Sequence, residues 1–276
     1  YFNNDFKYAA IAPVIYNSCI IFFGWFFSSS PESTVYGFAV GGLVGSIIGH
    51  FFVQLIGASK NGLVFKVLKP KGVHILEYIR ISLPLIIGQS IAVIDEQLFR
   101  YFGSLLTTGS IASFRYARRV ALIPVGVIAQ AVGVASYPTL SNLFVENKLE
   151  DFKLLIRKQL SILTVINTAV LILFLVNSDN IISIIYERGL FTSEDTLRVS
   201  SIFMVVSFGL IPWSLNQIVT RSYYVQKNYW FPVWVGTSIT FLTILLLTFI
   251  NNPSEENYAV IIISSLWLNT LVLSIF

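Results

Sequence analysis

Three observations predict an all-α polytopic membrane protein with about eight transmembrane helices. The first is composition: of 276 residues, 55% are hydrophobic and only 12% charged, with a mean hydropathy of +0.75, whereas soluble domains carry about 25% charged residues. The second is a series of apolar runs, each of roughly 20 residues, the length a helix needs to cross a hydrocarbon core. The third is the segregation of basic residues between alternate connections, the usual signature of a multi-pass chain.

The runs follow one another at 9–28, 36–57, 81–105, 110–138, 156–176, 197–219, 230–250 and 257–276. The first carries Pro13 and Asn17, and the amide is expected to hydrogen-bond a neighbouring helix. The second repeats Gly41, Gly45 and Gly49 at four-residue spacing, a row that lets two helix backbones approach closely. Pro84 enters the third run, Pro124 and Pro138 the fourth, and Pro212 the sixth. Each removes a backbone donor and bends or ends its helix. The stretch 181–186 is apolar but too short to cross, and is expected to lie at the interface. Trp25, Trp230 and Trp234 sit near run ends, as interfacial aromatic residues do.

Orientation follows from the connections. One set holds Lys7, then Lys60, Lys66, Lys69 and Lys71, then Lys148, Lys153, Arg157 and Lys158, then Arg221 and Lys227, while the alternate set holds Arg188. The positive-inside rule puts the first set, with loops at 58–80, 141–157 and 220–229, in the cytoplasm. The chain opens on Tyr1 in a polar stretch and closes inside an apolar run, so it is expected to be part of a longer protein. Cys19, the only cysteine, excludes an intramolecular disulfide and a cysteine-cluster metal site.

The third and fourth runs carry charge where lipid would forbid it. Asp95, Glu96 and Arg100 lie in one, Arg115, Arg118 and Arg119 in the other. A charge at the centre of a lipid-facing helix costs roughly 2.5–3.5 kcal/mol, so six would cost on the order of 15 kcal/mol. They are therefore expected to face protein or water, and such residues mark a transport path by default. At about 100° per residue, Gln89, Glu96 and Arg100 share one face of their helix, and the three later arginines cover about 100° of theirs. Two arrangements suit this pattern. In one, the arginines line a cavity for an anion, since guanidinium forks match phosphate oxygens. In the other, Asp95 and Glu96 neutralise them in a salt-bridge cluster between helices. Three arginines against two acids leave positive charge over. The sequence contains no P-loop, no HExxH and no nucleophile elbow, so no enzyme activity, metal or cofactor is expected, and no nucleic-acid partner.

The run SIASFRYARRVALIPVGVIAQAVGVASYPTLSN (110–142) resembles the central signature of the MviN/MurJ lipid II flippases. The resemblance rests on Gly109-Ser110, Tyr116-Ala117-Arg118-Arg119, Pro124-Val125-Gly126-Val127, Tyr137-Pro138 and Leu140-Ser141. YERGLFTSEDT (186–196), RSYYVQKNYWFPV (221–233) and the approach to Pro13 and Asn17 resemble further segments of that family in the same order. The resemblance implies the multidrug/oligosaccharidyl-lipid/polysaccharide exporter superfamily, with two six-helix lobes around a central cavity. On that map, residues 1–76 are the last two helices of the N-terminal lobe plus a cytoplasmic linker, and 77–276 are the C-terminal lobe. The implied function is translocation of a polyprenyl-diphosphate saccharide, the peptidoglycan precursor, across a bacterial inner membrane by alternating access. Arg119 matches the family's cavity arginine and would bind the diphosphate with Arg118, Arg115 and Arg100. Glu96 and Asp95 would couple charge to turnover. Implied partners are the lipid-linked saccharide diphosphate, membrane lipids, a coupling cation and cell-wall synthesis proteins. The chain departs from the family at Leu122, where a glutamate is common, and at Phe99, where an acid or amide is. Rival readings are a flippase for another lipid-linked polysaccharide unit, a cation-coupled drug exporter and a non-transporting cell-wall scaffold.

Overall fold

A computed structural model describes residues 7–60, 62, 72–250 and 254–275, all helix or short connections with no strand among them. Its contacts divide the chain into two compact units, Tyr1–Lys71 and Gly72–Phe276. The division falls a few residues before the expected boundary at 76, because α4 already begins at Gly72.

The first unit is a helical hairpin. Helix α1 is Lys7–Phe26. The returning arm is one continuous rod, α2 (Pro31–Gly45), a π-helical stretch (Ser46–Val53) and α3 (Gln54–Lys60). Ser30 starts it as N-cap, its hydroxyl accepting from the Ser33 amide, with Pro31 in the first turn; that position needs no proline N–H. Along this arm Gly37, Gly41, Gly45 and Gly49 press on α1 so closely that a Cβ would lie 2.4, 2.7, 2.9 and 2.6 Å from the carbonyl oxygens of Phe23, Cys19, Tyr16 and Ala12. The glycine row expected from the sequence is therefore the seam of the hairpin, one turn longer than read. Asn17 does not cross to a neighbour; its side-chain amide donates to Pro13 O of its own helix at 2.9 Å, the cheapest partner one turn back. Gly41→Ala should destabilise the full-length protein by about 1–3 kcal/mol through overpacking. Gly42→Ala, whose Cβ would meet nothing nearer than Tyr16 Oη at 3.9 Å, should be neutral or stabilising, since alanine is about 1 kcal/mol the better helix former. Equal melting temperatures for the two variants would exclude backbone-close packing.

In the second unit, α4 (Gly72–Ser104) leads to α5 (Ser110–Ala121), a π-helical stretch (Val125–Ala129) and α6 (Gln130–Val145). Then come α7 (Leu149–Val176), the short α8 (Ser178–Tyr186), α9 (Ser193–Ser207), α10 (Leu210–Val225), α11 (Trp230–Thr248) and α12 (Glu255–Ile275). Four helices of the chain are long and apolar enough to cross a membrane, or six if each bent pair is one span, among the described residues. The runs read at 9–28 and 81–105 are helical but hold shorter apolar stretches, Ala10–Phe26 and Tyr78–Gly88. The connections read as 141–157 and 220–229 are mostly helix: α6 ends at Val145, α7 starts at Leu149, and α10 reaches Val225. In the one read as 58–80, helix reaches Lys60 and resumes at Gly72; residues 63–71 lie outside the described residues. Polar helix ends simply extend past the apolar run. The stretch 181–186, read as too short to cross, lies in a short helix, α8.

Two spans are broken by proline chemistry. Helices α5 and α6 bend by 42° around Pro124, and α9 and α10 by 41° around Gly209. Pro212 has no N–H to give to the carbonyl four residues back, that of Phe208. The indole of Trp267 on α12 donates to that carbonyl instead, at 3.1 Å. Freed backbone groups in lipid must find such a partner, so α12 stabilises the bend. Thr270 Oγ1 donates to Pro212 O beside it, at 3.3 Å.

One core joins α5 to α9 and α12 through Phe114, Ala117, Val120, Ile202, Phe203 and Ala259, all buried. Each large buried side chain there contributes about 1.5–3 kcal/mol. At the same end, Arg198 on α9 reaches Glu255 at the start of α12, Nε lying 3.1 and 3.2 Å from its two oxygens. Its other nitrogens donate to Thr108 O and the Thr107 and Ser110 hydroxyls.

Candidate functional site

Helix α5 carries the site. Gly109, at φ +94°, makes the turn into it, a left-handed conformation that glycine adopts without strain. Its small residues Ser113, Ala117 and Ala121 are buried, so the opposite side presents Arg115, Arg118 and Arg119, all exposed. No carboxylate lies within ion-pair distance of these three among the described residues. The side chains of Asp95 and Glu96, as of Gln89, lie outside the described residues, so the salt-bridge cluster read from the sequence falls beyond what the structure describes. Arg100 is exposed near the end of α4.

The arginines do not converge. Arg118 lines a cavity of about 400 Å³ inside the second unit, its guanidinium 5.9 Å from the centroid of the Trp213 ring. Such a cation–π contact contributes about 0.5–2 kcal/mol, more as water is excluded. The cavity is walled mainly by apolar side chains of α10, α11 and α12, with Asn216, Thr220, Thr243 and Asn269 as polar points. Asn269 Oδ1 is buried there without a hydrogen-bond partner. Arg119 does not line this cavity. It lies within electrostatic reach of Tyr186, whose phenol burial pushes up and the guanidinium pulls back. Tyr186 packs with Tyr116 and Phe191 at ring separations of 4.7 and 5.9 Å.

A cation that stacks on an aromatic face without a carboxylate keeps its hydrogen-bonding edge for an incoming anion. Apolar walls with a few convergent polar groups are the general make-up of ligand sites. Sequence reasoning missed Trp213, Asn216 and Asn269, because nothing local marks which face of an apolar helix meets an arginine on a helix distant in sequence. It also read Arg221 as a loop residue, whereas it lies on α10.

A family model described as "Lipid II flippase MurJ" matches residues 2–275. A probable lipid II flippase MurJ of Treponema pallidum is 25% identical over 239 residues, 85% of this chain and 45% of that protein. Another, of Buchnera aphidicola subsp. Acyrthosiphon pisum, is 28% identical, covering 98% of this chain and 53% of that protein. The chain thus spans about half the length of the curated relatives it matches. A solved structure of lipid II flippase MurJ in an inward closed conformation superimposes with a TM-score of 0.74 at 25% identity, covering 99% of this chain and 56% of that one. A MATE crystal structure follows with a TM-score of 0.71 at 12% identity, over 95% of this chain and 60% of that one, a likeness of fold alone.

Proposed function

The chain belongs to the MurJ lipid II flippase family, and on that premise we propose that it forms part of a flippase moving a polyprenyl-diphosphate saccharide from the inner to the outer leaflet of a bacterial cytoplasmic membrane. The carrying observation is the set of exposed arginines on α5 with no carboxylate partner among the described residues. A diphosphate supplies the missing counter-charge, and arginine forks bind its oxygens in pairs. Arg119 grips the diphosphate, Arg118 receives it at the cavity inside the lobe, and Arg115 and Arg100 add attraction along the approach. Asp95 and Glu96 set the charge balance of the neighbouring helix, where a coupling cation would act. No bond of the substrate is made or broken.

Residues up to Lys71 are read as the last hairpin of the first lobe and the remainder as the core of the second. The basic connections lie in the cytoplasm by the positive-inside rule. Turnover proceeds by rocking of the two lobes about a mid-membrane site. The polyprenyl tail stays in lipid, because burying its CH₂ groups in an aqueous path would forfeit about 0.8 kcal/mol each. Excess arginine disfavours a cationic drug as cargo.

The test is replacement. The full-length protein, expressed in a bacterium depleted of its own lipid II flippase, is expected to restore growth and surface exposure of the precursor. Failure to do so while correctly inserted in the membrane would refute this function.

A further inference from the structure

Arg221 sits one turn before the end of α10, and its surroundings are unusual for a half-buried cation. Its Nη2 donates to Gln130 Oε1 at 3.0 Å, a neutral acceptor. Its Nη1 is buried and has no hydrogen-bond partner. No carboxylate forms an ion pair with it among the described residues. The guanidinium is parked in a notch on α6 that exists only because residue 133 is glycine: a Cβ there would lie 1.8 Å from Nη1 and 2.8 Å from Cζ. Tyr137, exposed one turn further along α6, is an electrostatic neighbour of both Arg221 and Tyr224.

The place matters as much as the partners. Trp213, Thr220 and Tyr224 of the same helix line the cavity that Arg118 enters. At 1.5 Å per residue, Trp213 and Tyr224 are about 16 Å apart along α10. One cation therefore heads the cavity and a second stands beside its far end, next to the connection read as cytoplasmic. The parked position is shallow in energy. A charged donor left without an acceptor forfeits the larger share of what a charge-assisted bond provides, and a glutamine carbonyl replaces little of it.

We propose that Arg221 is a releasable anion-binding arm: a lipid-borne phosphate reaching this end of the lobe draws its guanidinium out of the Gly133 notch and off Gln130. The phosphate offers two oxygens to the fork, and Tyr137 provides a hydroxyl beside it. The proposal rests on the reading of the chain as a mover of lipid-linked diphosphates and adds to it a station for the headgroup separate from α5. The same chemistry is carried by a polyprenyl diphosphate and by an anionic phospholipid, and the test separates them.

Full-length protein in phosphatidylcholine nanodiscs is titrated with farnesyl diphosphate in one series, and exchanged into nanodiscs with phosphatidylglycerol in the other, with bound lipid counted by native mass spectrometry. Arg221→Gln is expected to weaken binding about tenfold, the loss of one charged hydrogen-bonding group. Arg221→Lys falls between, keeping charge without the fork. Gly133→Ala and Gln130→Ala move the other way and tighten binding a few-fold, because they evict the guanidinium from its resting place. The methyl of Gly133→Ala meets only the far end of a flexible side chain, so that variant folds. Loss with farnesyl diphosphate alone identifies the substrate headgroup as the ligand; loss with phosphatidylglycerol alone identifies the bilayer lipid, and either supports the arm. Unchanged binding in Arg221→Gln, or weakening in Gly133→Ala equal to that in Arg221→Gln, overturns it and makes Arg221 a packing residue. If Arg119→Ala loses farnesyl diphosphate while Arg221→Gln loses neither ligand, the arm fails and the flippase reading stands. If neither variant loses either ligand, both fail.

Discussion

Arg119→Ala in the full-length protein is expected to reduce transport by about a hundredfold or more while changing stability by no more than about 0.5 kcal/mol. The first figure is the loss of two charge-assisted hydrogen bonds to a diphosphate, about 1.5–3 kcal/mol each. The second is the usual cost of replacing an exposed side chain that holds nothing in place. Arg119 is exposed, and no carboxylate pairs with it among the described residues. Had it neutralised a buried Glu96 or Asp95, its removal would strand that acid at a cost of about 3–5 kcal/mol. The two roles separate cleanly when melting and transport are measured together. Arg119→Lys should retain partial transport, since charge remains and the fork does not. Full transport by Arg119→Ala would take the residue out of the mechanism. Loss of folding, restored in Arg119→Ala with Glu96→Gln, would make it structural.

Helices of this chain were readable because lipid imposes a strong rule. Every backbone group must be satisfied within the span, so an apolar run of the right length has few alternatives to helix. The glycine row was readable for a related reason: small residues at four-residue spacing lie on one face of a helix whatever it packs against. Its true extent, from Gly37 to Gly49, was not, because each added glycine counts only through the α1 carbonyl it touches. Pro212 signalled a disturbance in its span, but the break falls at Gly209, since the proline deprives the residue four positions earlier rather than itself. That Trp267 then supplies the donor depends on α12 lying alongside, a tertiary fact.

The site was legible in kind but not in arrangement. Charges inside apolar runs can be seen in any sequence, and α5 was found from them. An arc of about 100° on a helical wheel suggested one cationic surface. In the fold that arc is wide enough for Arg118 to turn onto Trp213 and for Arg119 to turn toward Tyr186. Arg221 was assigned to a loop because a basic residue near the end of an apolar run resembles an orientation signal. Its notch is made by a glycine more than eighty positions earlier, and no local pattern connects them.

The same blindness to distant pairing hid the second contact whose loss should matter most, that of Arg198 with Glu255. Arg198 lies in the second turn of α9 and Glu255 begins α12. Their side chains are 33% and 15% exposed, so water screens the pair less than it would on an open surface. Ser110 and Thr107 also donate to the Glu255 carboxylate, and Arg198 binds Thr108 O at 2.9 Å. The cluster therefore fastens α9 and α12 to the turn that opens α5, the helix carrying the candidate arginines. Arg198→Ala leaves a mostly buried carboxylate with hydroxyl partners only, and should destabilise the full-length protein by about 2–4 kcal/mol, somewhat below the cost for a fully buried pair. Glu255→Ala should cost less, because the guanidinium keeps its carbonyl and hydroxyl acceptors and is the more exposed partner. The double variant should be more stable than the sum of the two losses predicts, by about 1–3 kcal/mol, since it strands no charge. Melting followed by tryptophan fluorescence in detergent at about 0.1 M and 1 M salt would measure the cycle. Additive losses would show that the pair is not coupled, and a coupling that vanishes at high salt would place it on an open surface. If the coupling holds, Arg198→Ala should also impair transport although it touches no ligand, because α5 loses the anchor that keeps Arg118 against Trp213.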